Sequence, residues 1–556
     1  MKLSLKHFSQ LMAIVALFSV MFLYLNVNNQ VEISPDYDNP HLQIPIIEEK
    51  QNEDMVSASK QSYYVVFSGG SEIERRIYDN VRLFLDQMKQ PYEVKQFVTA
   101  GELQSGITLI FCNTHVSEGM DVEVLGEYVK QGGQVIFAAG IPEGFNESYL
   151  LPLMGIIEKG NRAESNEWFL QDGFLPEGGW NVVFPDFQAS TIIKANDEVE
   201  ILIEDKVQNI PIVYRMEYGK GSSLVVNGTL LENRYSGGIF AGAVCSLKQE
   251  LLYPVIGACV IFLEDFPFVL PGYDKECTQL YGRSMESVER ELLWPFFVSY
   301  ASGYNLKYTM NLYEPLEETD ISRMNQRLFN YLVKENIRYS GEVMLSSGYE
   351  QNTENPMTEL LKEYFPQYKV QAYSALYGEY QDNAMPIKRG NYIGDGEKKQ
   401  AQDFGWDGRT VSFPVVSSGT SLDECVYQYL AGLSLYGVVS HSVPAGEMIY
   451  TSASYEVVGD ELGSLLGTIG EHNKWLEGET ITGAAEKVIS YSRLLLNSQF
   501  KEDVMTAHCS NFTKGQKFIL YSEKGIKEIQ GAKAYKIRGN YYCIEADNEE
   551  FSVLFK

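Results

Sequence analysis

The segment Cys259-Val260-Ile261-Phe262-Leu263-Glu264-Asp265-Phe266-Pro267 constrains the fold more than any other stretch of the chain. An uncharged apolar run ends abruptly in two adjacent carboxylates, with a proline close behind. A strand buried on both faces carries no charge in its middle. A barrel strand of that kind delivers an acid to its C-terminal mouth, where barrel enzymes do their chemistry. The plainer reading is that Glu264 and Asp265 open a solvated loop.

The amino terminus bears on where such chemistry would happen. Lys2, Lys6 and His7 precede residues 8–25, an uncharged and mostly apolar stretch as long as one membrane-crossing helix. No small-residue cleavage signature follows, so residues 1–30 read as an uncleaved signal anchor. Positive charge lies before the stretch, and Glu32, Asp36, Asp38, Glu48 and Glu49 lie after it. The positive-inside rule then predicts a single-pass membrane protein with its body outside the cell. Residues 31–61 carry Pro35, Pro40 and Pro45 without apolar periodicity and read as an extracellular linker.

Charge removes one class of partner. Lys and Arg number 45 against 74 Asp and Glu, a net charge of −29. Nucleic-acid binding needs clustered Lys and Arg, so no nucleic-acid partner is expected. Cys112, Cys245, Cys259, Cys277, Cys425, Cys509 and Cys543 are widely spaced, with no C-x-x-C. They indicate neither a disulfide framework nor a zinc ribbon and read as small buried apolar residues.

The body is long enough for two or three domains. Residues 62–252 alternate strands (64–67, 92–97, 108–112, 134–138) with helices (72–88, 122–131), which predicts a parallel α/β sheet. Ser68-Gly69-Gly70 at a helix start could cradle an anion. Tyr218-Gly219-Lys220-Gly221 reads as a β-turn before a closing strand. Residues 253–497 repeat strand-helix units, with strands at 307–312, 341–345 and 436–441, and predict an irregular (β/α) barrel. Residues 498–556 are short alternating runs between turns and predict a small β-rich domain, a sheet or sandwich.

Two of these regions resemble known families. The helix-Gly132-Gly133-strand step is similar to the core of class I amidotransferase-like domains. The nucleophile elbow of that fold is missing, because Cys112 ends a strand and Asn113-Thr114-His115 makes no sharp Gly-flanked turn. Region 62–252 is therefore expected to be non-catalytic, with a Cys112–His115 pair as the catalytic alternative. Region 253–497 resembles the polysaccharide deacetylase (NodB-like) superfamily, on the strand into Glu264-Asp265, on Lys307-Tyr308-Thr309-Met310-Asn311, and on Val439-Ser440-His441-Ser442-Val443. The resemblance implies Glu264 and Asp265 as base and metal ligand and His441 as general acid.

The chain departs from that family where the metal is bound. The segment in the place of the two metal-binding histidines offers Ser347, Tyr349, Glu350 and Asn352 instead. His441 and His472 are the only histidines within 253–497, so an Asp-His-His zinc site cannot be assembled there. No cofactor is expected; an oxygen-rich site for a harder divalent cation at Asp265, Glu350 and Asn352 is the alternative.

The whole arrangement is also similar to a membrane-anchored domain-of-unknown-function family of Gram-positive bacteria. Some members of that family accompany Pel-like exopolysaccharide synthesis. The reading that follows is a surface protein whose degenerate deacetylase-like barrel binds or modifies an exopolysaccharide or cell-wall glycan. Glu264, Asp265 and His441 would line the groove, and Tyr313, Tyr349 and Trp406 would stack on sugar rings, with Glu350 and Asn352 gripping hydroxyls. One alternative is an active deacetylase or glycoside hydrolase on a non-standard carboxylate site, pairing Glu264 or Asp265 with Glu350, Glu379 or Asp407. Another is a non-catalytic subunit of a membrane polysaccharide synthase complex.

Overall fold

The structure is a computed structural model. It describes residues 41–44, 62–144, 146–268, 273–312, 324–346, 356–374, 385–392, 402–450 and 455–556. Among them no helix is long and apolar enough to cross a membrane. The anchor expected over 8–25 lies outside the described residues, as does the linker apart from 41–44.

The first unit is one nine-stranded sheet. Short apolar strands, Tyr63–Val66, Thr108–Phe111 and Gln134–Phe137, lie parallel with Tyr92–Lys95 on one edge and Gly221–Val226 on the other. Helices cover both faces, so these strands read as continuous hydrophobic runs. The sheet then turns antiparallel through Ile210–Tyr218, Glu200–Asp205, Ile156–Leu170 and Trp180–Ala195. The expected parallel sheet forms, and the antiparallel half beyond its closing hairpin adds strands that the sequence reading did not place. The middle of Ile156–Leu170 is exposed on both faces, so backbone pairing holds it and no apolar period betrays it.

The supposed anion cradle at Ser68-Gly69-Gly70 is filled from within. Glu74 Oε2 accepts from Ser71 N at 2.8 Å, and its Oε1 accepts from Thr114 N at 2.7 Å. Together with the Ser71 hydroxyl this forms a capping box for the helix Glu72–Gln87. Cys112 is fully buried and burial pushes its thiol up, the setting of a small core residue and not of an activated nucleophile.

The turn Tyr218-Gly219-Lys220-Gly221 forms as expected, with Gly219 at φ +66°. A Cβ on Gly221 would collide with the backbone oxygens of Gly133 and Val129. Backbone cannot retreat as a side chain can. Gly221→Ala is expected to lower stability by about 2–3 kcal/mol, read as a drop in the urea midpoint with unchanged slope.

The second unit is built on parallel strands. Ala258–Glu264, Tyr308–Leu312, Glu342–Ser346, Ala372–Ser374 and Ile387–Arg389 lie side by side, and Val438–Pro444 flanks the first of them. Residues 411–419 bridge the two edges. Phe413 N donates to Lys388 O at 2.9 Å and Val415 N to Gly390 O at 2.8 Å. Val416 N then donates to Ser440 O and Gly419 N to Ser442 O, both at 3.0 Å. The sheet thus curls into a barrel-like wall. Register puts Phe262, Glu264, Asn311 and Ser442 on one face, and Ile261, Tyr308 and His441 on the other. Tyr308 donates its hydroxyl to Phe297 O at 2.9 Å, so that second face looks toward the helix Trp294–Tyr304.

The chain ends in a sandwich of two four-stranded antiparallel sheets. One contains Lys517–Ser522, Tyr541–Ala546 and Ala532–Arg538, together with Glu250–Val255 from before the barrel. The other contains Leu495–Lys501, Val504–Ser510, Glu550–Phe555 and Ile526–Gln530. Leu252, Met505, Phe518, Ile544 and Val553 pack in the core between them. Residues on either side of 252 and of 497 therefore belong to one β unit.

Candidate functional site at the barrel mouth

Several strand ends converge on Glu264. It closes Ala258–Glu264 and lies in register with Asn311, whose Nδ2 donates to Glu264 Oε2 at 2.7 Å. Arg389, at the end of Ile387–Arg389, donates through Nη1 to Oε2 at 3.2 Å and through Nη2 to Oε1. Ser442 Oγ also donates to Oε1. Arg389 is 1% exposed, and its guanidinium lies 4.4 Å from the centroid of the Phe262 ring. The result is a bidentate, charge-assisted clamp inside the wall. Burial works against the charge on Glu264, but Arg389, Ser442 and Asn311 outweigh it and its pKa is lowered. Glu264 is therefore ionised with both oxygens occupied, not a free base.

Asp265 is in a different state. It is exposed and holds φ +53°, a left-handed conformation that Asp tolerates better than most residues. Among the described residues no side chain bonds or pairs with its carboxylate. Solvent reaches it from one side while protein lies on the other. That desolvation, and then the charge of Glu264, raise its pKa to about 6, with Arg389 opposing.

Beside the clamp, Asn311 Oδ1, Ser346 Oγ and Arg389 Nε have no hydrogen-bond partner among the described residues, although each residue is no more than 2% exposed. Ser346 is in register with Ser374, and Ser374 with Arg389. Buried polar atoms are nearly always satisfied, by protein, water or ligand. These atoms lie buried in the wall beside the clamp.

The sequence-predicted residues are placed unequally. Glu264 and Asp265 sit together at the mouth. His441 does not join them, and its expected place in the groove is corrected. It is in register with Ile261, on the helix-facing side, one residue out of step with Ser442. Its Nδ1 lies 2.9 Å from Ser417 Oγ and its Nε2 3.0 Å from Gly419 O. Burial lowers its pKa to about 4, so the ring is neutral. Trp406 is also elsewhere. It pairs with Val411, on the strand beyond Ile387–Arg389. There the Arg493 guanidinium lies 5.4 Å from its ring centroid. Asp407 closes a turn, accepting from Arg409 N at 2.8 Å and Thr410 N at 2.7 Å. Tyr313, Tyr349, Glu350, Asn352 and Glu379 lie outside the described residues.

Sequence reasoning missed Arg389, Ser442, Ser346 and Asn311 as site residues. One signal was available for Arg389: a charge at the end of the short run Ile387-Lys388-Arg389, which only a buried partner would reward. A second buried acid just beyond the mouth was also missed. Glu289 lies in a π-helical turn, Glu289–Leu293, and its Oε1 accepts from Phe268 N at 2.7 Å. It is 1% exposed, and burial pushes its carboxyl up to about 8.

Residues 80–352 match a family described as an uncharacterised protein conserved in bacteria (DUF2194). The DUF2194 match takes in Glu264, Asp265, Asn311 and Ser346 and stops short of Arg389 and Ser442. No curated protein matches the chain in sequence. The fold is similar to that of Agd3, a novel carbohydrate deacetylase. Its crystal structure has a TM-score of 0.53 at 9% identity, covering 90% of this chain and 99% of that one. A β-galactosidase from Bacillus circulans sp. alkalophilus covers 35% of this chain and 34% of its own, with a TM-score of 0.25 at 16% identity.

A deacetylase-like fold raises the question of a metal. The residues here do not fit a histidine-rich centre. His441 has both nitrogens engaged on the wrong face. His472 lies 3.3 Å from Glu177 of the first unit. Both Glu264 oxygens are taken. Among the described residues, no group of three His, Cys, Asp or Glu side chains is placed to hold an ion.

Proposed function

We propose that this chain is a cell-surface polysaccharide-associated protein whose deacetylase-like barrel grips a glycan at its mouth without cleaving it. The observation that carries this reading is the state of Glu264. The residue that the family resemblance makes the base is held ionised by Arg389, Asn311 and Ser442, with both oxygens engaged. A general base must have a free acceptor within reach of the proton it takes. A sugar-binding site needs pre-positioned polar groups, and the exposed Asp265 carboxylate beside the clamp is one. The fold-level likeness to the carbohydrate deacetylase Agd3 supports the polysaccharide assignment. The first sheet unit, with Cys112 buried, acts as a scaffold. The segment 8–25 anchors the body outside the membrane, close to where a polysaccharide emerges, and a synthase complex is the natural neighbour.

The test is to incubate the purified full-length protein with an insoluble acetylated hexosamine polymer, measuring both retention on the polymer and acetate release. Retention without acetate is the expected result. Acetate release that disappears in Asp265→Asn would make the barrel an active esterase and sink the non-catalytic reading. Absence of retention on any hexosamine polymer would remove the glycan assignment.

A further inference from the structure

We propose that the outward face of the carboxyl-terminal sandwich is a second binding surface, for an uncharged polysaccharide chain, apart from the barrel mouth. The choice of a glycan as ligand rests on the proposed function.

The sandwich meets the rest of the protein through its first sheet. There Lys517 donates to Trp475 O at 2.8 Å, Tyr541 to Phe174 O at 2.6 Å, and Arg538 pairs with Asp172 at 3.0 Å. The second sheet sends Met505, Ala507, Cys509, Phe551 and Val553 into the core, and alternation turns the residues between them outward. Register sets the outward side chains in two rows. Asn497, His508 and Glu550 stand side by side in one, and Gln499, Thr506, Ser552 and Gln530 in the next. A groove of about 530 Å³ lies over both rows, with Asn548 also lining it. Residues 493–556 are described without a break, so every loop joining these strands from Leu495 onward is included.

One face of an antiparallel sheet is commonly solvated, and charged residues usually supply much of its polarity. Here four carboxamides, Asn497, Gln499, Gln530 and Asn548, gather on one groove lined by no Lys or Arg. Its single acid, Glu550, places Oε1 3.1 Å from His508 Nδ1. Asn497 lies inside a strand, where Asn is disfavoured, so sheet propensity does not account for it. The side chains of Asn497, Gln499, Thr506, Asn548 and Ser552 have no partner among the described residues. Each carboxamide offers two donors and an acceptor, and each hydroxyl both donates and accepts. Sugar hydroxyls have the same double capacity, so such rows suit a polyol. A polyanion would find no cation in the groove. The one ring lining it, Phe551, is buried in the core, so no aromatic face is left for stacking. Each contact is therefore weak, and affinity grows with the number of sugar repeats engaged at once.

The experiment is a depletion isotherm of the full-length protein on an insoluble N-acetylated hexosamine polymer at physiological salt. The variant is Gln499→Ala with Thr506→Ala, both exposed and opposite one another on neighbouring strands. A thermal melt checks that it folds like the parent. Removing two hydrogen-bonding groups is expected to weaken retention about tenfold at unchanged melting temperature. Asp265→Asn is run beside it to separate the two sites. A double variant retained as tightly as the parent would overturn the surface, and loss of retention in Asp265→Asn alone would then leave the grip at the mouth. Loss in the double variant, with Asp265→Asn binding like the parent, would support the surface and move the grip away from the mouth. A parent that binds polygalacturonate beads more tightly than the uncharged polymer would overturn the ligand class. Retention of no protein, parent included, would remove both readings.

Discussion

Arg389→Ala is expected to lower the stability of the barrel by about 3–5 kcal/mol, the largest effect of any single substitution at the mouth. The substitution removes the cation and leaves the charge of Glu264 in the wall with only Asn311 and Ser442 to answer it. A buried charge stripped of its partner costs far more than the intact pair contributes, because desolvation is then uncompensated. The Phe262 ring also loses the guanidinium packed on it. Adding Glu264→Gln in the same chain is expected to restore much of the loss, since the amide carries no charge to desolvate. Urea denaturation followed by intrinsic fluorescence measures both, and the double-mutant cycle isolates the coupling. An Arg389→Ala chain as stable as the parent would show that water reaches the pair. The acid limb has a defined sign. The pKa of Glu264 is lowered on folding, so its contribution is present above the ordinary carboxylate value and is lost as pH falls through the folded value.

Glu289→Gln is expected to abolish a loss of stability that the parent shows as pH rises. Burial raises the Glu289 carboxyl from its ordinary 4.5 to about 8. Between those values the unfolded chain has released the proton and the folded chain still holds it. Stability from this group is therefore fully present below the unfolded value, declines as pH rises, and is gone above about 8. At 1.36 kcal/mol per pKa unit the ceiling on that decline is ~5 kcal/mol. A glutamine keeps the acceptor for Phe268 N and does not titrate. The variant should match the parent or fall slightly below it in acid, and exceed it in mild alkali. Thermal melts of both proteins across that range check the crossing. Parallel profiles would mean that Glu289 is hydrated in the folded state.

The carboxylate pair could be found in the sequence because Glu264 and Asp265 break a run of apolar residues, and composition alone shows a break. What compensates Glu264 could not. Arg389 lies far along the chain, on a strand of three residues between polar segments, and nothing local links the two. His441 shows a sharper limit. The late strand is correctly placed by its apolar run, but side chains alternate with a period of two. Choosing His441 rather than Ser442 for the mouth is therefore an error of one residue that reverses the face. In the first unit, the short buried strands are evident from their valines and phenylalanines. The antiparallel half is not, because Ile156–Leu170 is held by backbone pairing more than by an apolar face.

The strand Glu250–Val255 bears on how the chain acquires its shape during synthesis. It precedes the barrel, yet its partner is Lys517–Ser522, near the other end of the protein. Lys517 also reaches back to Trp475 O and to Glu477, each at 2.8 Å. A ribosome delivers the barrel sequence before any of these partners exist. Until the final segment emerges, Glu250–Val255 has an unpaired edge, and such edges invite aggregation. Pairing at that edge therefore has to follow synthesis of the whole barrel segment. A chain cut short after the barrel would leave Glu250–Val255 without its partner strand, an exposed edge of the kind that promotes aggregation.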